Sequence, residues 1–252
     1  MLKRFLSTLG LKAWRPPKAP SPLQSDAQRA EASAQARANF PYEIVETTGA
    51  NALAKWEELK TAGRGVPVIV GDDVARILRP FEPGRYTTLT PVSEQLAAAD
   101  TIQIPEDLVF EDDEAERGEW PAEAPAPTDF SAAFDLGSGT YLPRIYIVLI
   151  PTDDPTTVPA YLHWGGFNGC LPAPYHVALL RNWRDRYGAE LVALGMDTLE
   201  LRVGRKPATR EEALELARIH SAYCSEFAQG GETLSGMAAG LMVQDWWSFW
   251  WD

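Results

Sequence analysis

Three histidines and two cysteines are the whole stock of imidazole and thiol chemistry in this 252-residue chain. His163 and Cys170 bracket a glycine-rich loop, His163-Trp-Gly-Gly-Phe-Asn-Gly-Cys170. Glycines let a backbone approach a ligand closely, and histidine, asparagine and cysteine supply polar handles. A histidine beside a cysteine is the raw material of thiol catalysis, in which the base draws off the thiol proton. The spacing here matches no nucleophile motif, and glycine-rich aromatic loops also serve simply as tight packing turns. His220 and Cys224 stand four apart in a helical stretch, so they share a face and could occupy two positions of a zinc site. A closed site needs two more ligands. His163 and Cys170 supply them only if their loop packs on that helix. Core packing is the competing reading of all four residues and the one preferred, so no metal and no cofactor are expected. His176 is expected to pack near the start of its own helix.

The carboxylates worth weighing are Glu190, Asp197, Glu200 and Asp252. Glu200 and Arg202 lie on the same face of a strand and are expected to pair with each other. Asp252, with its extra terminal carboxylate, could meet Arg181, Arg184 or Arg202. Hydrolysis by an acid pair needs a cleft and a shifted pKa. A structural set of ion pairs is the simpler reading. The Gly-x-Gly fragments at Gly63 and Gly137 lack the third glycine and following helix of a nucleotide loop. The acidic run 111–116 lacks EF-hand spacing and its turn glycine. The candidate ligand- or partner-binding residues are therefore His163, Trp164, Gly165, Gly166, Asn168, Trp183, Arg202, Trp250 and Asp252. No residue is assigned a catalytic role.

Several elements must position these residues. Leu179, Leu180, Trp183 and Tyr187 recur at helical spacing from about His176, and Gly188 follows as a left-handed stop. The period then drops to two. Leu191–Leu194 and Thr198–Val203 flank the turn residues Gly195-Met-Asp197, which predicts a β-hairpin with one buried face. Thr209-Arg-Glu-Glu212 has capping-box spacing. The helix it opens carries Ala213, Leu216, Ala217, His220, Cys224 and Phe227 along one face, and Gly230-Gly231 stops it. Thr233 opens a shorter helix bearing Leu234, Met237, Ala238, Leu241 and Met242. The run Trp246-Trp-Ser-Phe-Trp-Trp-Asp252 is too aromatic for a free tail and reads as a final strand completing the sheet.

Five segments together resemble a known family. They are Pro159-Ala-Tyr-Leu-His-Trp-Gly-Gly-Phe-Asn168, Trp183-Arg-Asp-Arg-Tyr-Gly-Ala-Glu190, Asp197-Thr-Leu-Glu-Leu-Arg202, Pro207-Ala-Thr-Arg-Glu-Glu-Ala213 and Phe249-Trp-Trp-Asp252. Their order and spacing resemble the bacterial domain-of-unknown-function family 4253 (DUF4253), over roughly residues 145–252. One departure is Phe167, where the family pattern implies tryptophan. The resemblance implies a fold unit. It carries no activity, so it transfers no catalytic residue.

Upstream, Tyr42–Val45 reads as a strand, Asn51–Thr61 as a helix with Leu53, Trp56 and Leu59 inward, and Val66–Val70 as a fully apolar strand. The three suggest a βαβ unit. Short helices follow at Val74–Leu78 and Ser93–Ala99. Arg144–Ile150 is the most apolar stretch and reads as a central strand. The fold class is α+β: a mixed β-sheet with helices packed against it, a C-terminal hairpin and an aromatic terminal strand. Residues 1–39 form a flexible basic and alanine-rich segment. Residues 40–252 form a single domain with a partly disordered acidic insert at about 105–138.

Charge narrows the function classes. The formal net charge is −12, and residues 105–130 carry ten acids against the single base Arg117. That balance argues against nucleic acid, which asks for a basic surface. The first eighteen residues hold Lys3, Arg4, Lys12, Arg15 and Lys18 and no acid. No run approaches about 18 apolar residues, so no transmembrane helix is expected, and the start lacks a secretory signal. Two distant cysteines make no disulfide framework, which points to a reducing cytoplasm. The first reading is a non-enzymatic protein-binding domain whose partner has a basic surface, one form being an immunity- or antitoxin-like chain. The alternative is a small-molecule-binding domain or hydrolytic enzyme that uses the 163–170 loop.

Overall fold

A computed structural model describes residues 34–82, 89–108, 117–123, 125–135, 137–224 and 233–251. The expectations for the basic start, the run 111–116, the Gly230-Gly231 stop and Asp252 lie outside these residues. The strands in chain order are β1 (Glu43–Thr47), β2 (Val66–Gly71), β3 (Phe134–Asp135), β4 (Thr140–Tyr141), β5 (Ile145–Ile150), β6 (Glu190–Leu194), β7 (Thr198–Arg202) and β8 (Trp246–Trp250). The helices are α1 (Ala52–Ala62), α2 (Val74–Leu78), α3 (Val92–Ala99), α4 (Val158–Tyr161), α5 (Ala173–Tyr187), α6 (Arg210–Tyr223) and α7 (Leu234–Leu241). β3 and β4 form a ribbon of their own, and the other six strands make one mixed sheet in the order β1-β5-β2-β6-β7-β8. The fold is α+β.

The apolar run 145–150 is a central strand. β5 lies antiparallel between β1 and β2, so those two strands run parallel with β5 inserted between them. The strand–helix–strand unit therefore exists, but its strands are not neighbours. β2 meets β6 in the sheet's parallel pairing. β6, β7 and β8 continue as an antiparallel meander, with Leu199 opposite Phe249 and Leu201 opposite Trp247.

The sheet is covered on both faces. α5, α6 and α7 bury Leu180, Trp183, Leu216, Tyr223 and Met237 against Val68, Val148, Leu201, Trp247 and Phe249. Strand residues one position out of phase point the other way. There Ile69, Ile147 and Val192 meet α1 through Ala52, Trp56 and Leu59 and meet Ala133. This second layer corrects the expectation of a hairpin with one wet face. α1 and the segment around Phe130 cover it, and Glu200 is only 2% exposed.

Local chemistry sets the helix ends. α5 begins at Ala173, three residues before the apolar stripe suggests, because Pro174 suits a first turn that needs no N–H donor. Gly188 closes α5 at φ 60, and its N–H donates to the Arg184 carbonyl at 2.8 Å. Thr209 accepts from the Glu212 N–H at 3.1 Å, while the Glu212 carboxylate takes the Ala208 N–H at 2.8 Å. α6 ends at Tyr223, short of the expected face position at Cys224, and Phe227 lies outside the described residues. Cys224 turns to extended backbone, and its thiol donates to the Trp250 carbonyl on β8 at 3.0 Å. Among the described residues no helix is long and apolar enough to cross a membrane.

Candidate functional site

The loop 163–169 follows α4 and returns the chain to α5. It is the most contorted backbone among the described residues. His163 (φ 50) and Asn168 (φ 40) are the two non-glycine residues there at positive φ, and Gly165, Gly166 and Gly169 are positive too. Left-handed backbone strains a side-chain-bearing residue and persists only where surrounding structure over-determines it. Three buried side chains do so. The Trp164 indole donates to the Gly195 carbonyl at 2.8 Å. His176 Nε2 lies 2.7 Å from the Leu171 carbonyl. The Gln95 amide, on α3, reaches His163 Nδ1 at 2.9 Å. Gly165 lies directly over His176, and a Cβ there would run into the Leu171 oxygen and the imidazole ring.

Beneath the loop is a sealed polar cluster. His176 is fully buried, with its Nδ1 2.7 Å from the Tyr223 hydroxyl and its Nε2 3.4 Å from the Cys170 sulfur. A carbonyl only accepts, so the contact to Leu171 puts the proton on Nε2. Nδ1 is then the acceptor from the Tyr223 hydroxyl. Burial pushes the His176 pKa down to about 3. Burial pushes the Cys170 thiol up, with Cys224 nearby adding to the effect, and Tyr223 is raised by the same cause. A neutral imidazole that already bears its proton on the nitrogen facing the sulfur cannot take another from Cys170. The cluster is built as a core, closed over by Trp164 and Trp251 at ring centroid distances of 4.6 and 5.9 Å from His176.

The four candidate zinc ligands do not converge. Cys170 sits beside His176. His220 is enclosed by Trp183, Trp247 and Phe249, at ring distances of 5.0, 4.7 and 4.9 Å. Its pKa is pushed to about 3 by burial. Cys224 bonds the β8 backbone, and His163 packs edge-on against Phe81 at 5.7 Å. Among the described residues no three of the residues His, Cys, Asp or Glu stand close enough to hold a metal ion.

The remaining candidates disperse. Trp183 is fully buried against Phe249, stacked at 5.3 Å. Arg202 lies on the opposite sheet face over the Trp56 ring, and it pairs with Glu57 and, at 2.9 Å, with Glu190. The expected Glu200–Arg202 pair does not form. Glu200 instead accepts from the Ser131 hydroxyl and, at 3.0 Å, from the Ser131 N–H, because the 128–133 segment lies over it. Trp250, on the edge strand β8, is 50% exposed. Sequence reasoning missed Gln95, Tyr223 and Ser131. Gln95 and Ser131 sit in stretches with no site signal, and Tyr223 reads simply as a helix residue.

A shallow hollow of about 250 Å³ opens between Pro155, Leu180, Gly188 and Leu191. The charges at its rim are already paired, Arg184 with Asp154 and Asp185, and Glu190 with Lys60 and Arg202.

Residues 146–252 match the model of the family described as domain of unknown function (DUF4253). Neither the curated proteins nor the solved structures gave a match.

Proposed function

We propose that this chain is a non-enzymatic protein-binding domain whose partner presents a basic surface. The observation that carries the reading is the fate of the thiol and imidazole groups. Cys170, His176, His220 and Cys224 are all spent inside the core. What is left for the surface is acidity, a formal charge of −12, together with the exposed aromatic rings Trp250 and Tyr141. Charge complementarity speeds encounter and selects partners more than it adds affinity. An immunity- or antitoxin-like chain that masks a basic toxin is one form this takes.

A second reading, a ligand-binding or hydrolytic role for the 163–170 loop, is favoured by one observation, the strained backbone at His163 and Asn168. Affinity capture from a lysate of the source cells, followed by light scattering of the recovered complex, separates the two. The first reading expects a stoichiometric complex with a basic protein that dissociates as salt rises. A chain recovered alone at low salt sinks it and moves the search to small metabolites.

A further inference from the structure

The pair Asn168-Gly169 carries a chemistry that needs no other residue. Phe167 and Cys170 close a turn around it, with the Cys170 N–H donating to the Phe167 carbonyl at 2.6 Å. Both central residues have positive φ, 40 at Asn168 and 78 at Gly169. This is the pattern of a type I′ turn, which favours asparagine followed by glycine. Turn geometry accounts for the choice of residues, and it also presents them to water. Both are exposed, and among the described residues a Cβ at Gly169 would meet nothing within 4 Å.

An asparagine side chain is short enough for the next residue's backbone nitrogen to attack its amide carbon and close a five-membered ring. A side chain on that next residue crowds the attack, and glycine has none. A hydrogen bond from the attacking N–H also holds the nitrogen in place. The chain holds four asparagines, and they differ on both counts. Phe40 follows Asn39, and its N–H donates to the Arg37 carbonyl. Ala52 follows Asn51, and its N–H donates to the Gly49 carbonyl. Trp183 follows Asn182 inside α5. Asn168 alone precedes a glycine, and its turn is closed by the Cys170 N–H rather than that of Gly169.

We infer that Asn168-Gly169 is a self-modification site, at which the folded chain converts its own asparagine to aspartyl and isoaspartyl forms. The Gly169 nitrogen forms a bond to the Asn168 side-chain carbonyl carbon. The bond from that carbon to the amide nitrogen breaks, and ammonia leaves with the proton that the Gly169 nitrogen gives up. Water then opens the succinimide ring at either carbonyl. Opening on the side-chain side leaves aspartate and an unchanged main chain. Opening on the main-chain side leaves isoaspartate, with one extra methylene in the backbone and a free α-carboxylate. Nothing is oxidised or reduced. Both products put an anion on residues 163–169, which carry no carboxylate, lysine or arginine. Isoaspartate also lengthens the main chain between Phe167 and Cys170, whose hydrogen bond closes the turn.

The test incubates the full wild-type chain at mildly alkaline pH in water enriched in heavy oxygen and reads every asparagine by peptide mass mapping. The expected result is loss of the amide at Asn168 with uptake of heavy oxygen there, while Asn39, Asn51 and Asn182 keep theirs. The converted chain is expected to bind an anion exchanger more tightly and to accept a labelled methyl group from a methyltransferase specific for isoaspartyl carboxyls. Because the attacking nitrogen must lose a proton, conversion is expected to quicken as pH rises. Amide loss at Asn168 no faster than at Asn39 or Asn51 overturns the inference. So does conversion that occurs only after the chain is unfolded in guanidinium, since the fold would then shield the turn. Amide loss that leaves no methyl-accepting product means direct hydrolysis and overturns the ring step. The controls are asparagines of the same molecule, so no outcome depends on whether a substituted chain folds.

Discussion

The two faces of the central sheet are held by different physics. On the face under α5 and α6, rings meet rings. Trp183, His220, Tyr223, Trp247, Phe249 and Trp251 interlock at centroid distances from 4.7 to 6.2 Å. Its titratable groups are kept neutral. On the face under α1, a charged chain of Lys60, Glu190, Arg202 and Glu57 runs along the margin, and Glu200 is buried under Ser131. The first face depends on shape and dryness, the second on electrostatics at its rim. They should therefore fail differently and answer pH with opposite signs.

The strongest way to break the comparison is to remove β8. Trp247, Phe249 and Trp251 are each 1% exposed, and losing one large aromatic from a core costs about 3–5 kcal/mol. Total stability of a domain is about 5–15 kcal/mol. Deleting residues 246–252 is expected to abolish cooperative unfolding, as seen in near-ultraviolet circular dichroism during a urea titration. A sharp transition in the deleted chain would show that the aromatic face is not what holds the sheet.

Acid is the next largest perturbation. His176 and His220 are both depressed from 6.5 to about 3. Their stabilising contribution is complete above the unfolded value and drains away as pH falls from 6.5 towards 3. Each can remove about 1.4 kcal/mol per pH unit across that window. Thermal midpoints measured from pH 7 to pH 4 should fall steeply, and His220→Phe should roughly halve the slope. A flat profile would mean that the rings are not sealed as described.

Much of this contrast could be read in the sequence, and the part that could not has a local cause. The stripe Leu179, Leu180, Trp183 and Tyr187 placed α5, and the alternation of 198–203 placed β7, because periodicity is a local signal. The same alternation misled about Glu200. Which face of a strand is wet depends on what a distant segment does, and the 128–133 cover belongs to a stretch with no pattern of its own. The loop at His163 was visible from its glycines. The lock on its histidine was not, since Gln95 lies 68 residues away and glutamine carries no motif. The separation of His220 from Cys224 by a helix end was likewise hidden, because the bond from Cys224 to Trp250 that turns the chain is tertiary.

Glu200 sharpens the comparison with an effect of opposite sign. Burial raises its pKa, and the Ser131 and Ala132 hydrogen bonds only partly oppose the shift. A raised carboxyl favours the fold below the unfolded value of 4.5 and loses that contribution as pH rises through the folded value. Glu200→Gln is therefore expected to be more stable than the wild type at neutral pH. In denaturant titrations its advantage over the wild type should shrink as pH falls towards 4. An advantage that grows on acidification would contradict a raised carboxyl.

The smallest effect belongs to the charged margin. Arg202 pairs with Glu57 and Glu190 while partly open to water, with side-chain exposures of 38%, 46% and 22%. Solvent screens such pairs, and each is worth about 0.2–1 kcal/mol. Arg202 also lies 5.2 Å over the Trp56 ring, so part of its contribution is contact rather than charge. Arg202→Met keeps the contact and removes the charge, whereas Arg202→Ala removes both. At low salt both variants should be less stable than the wild type, alanine more so. At high salt the methionine variant should approach the wild type, and the alanine gap should persist. If both gaps closed together, the margin would be purely electrostatic. If neither closed, its ion pairs would add nothing, and both faces of the sheet would rest on packing alone.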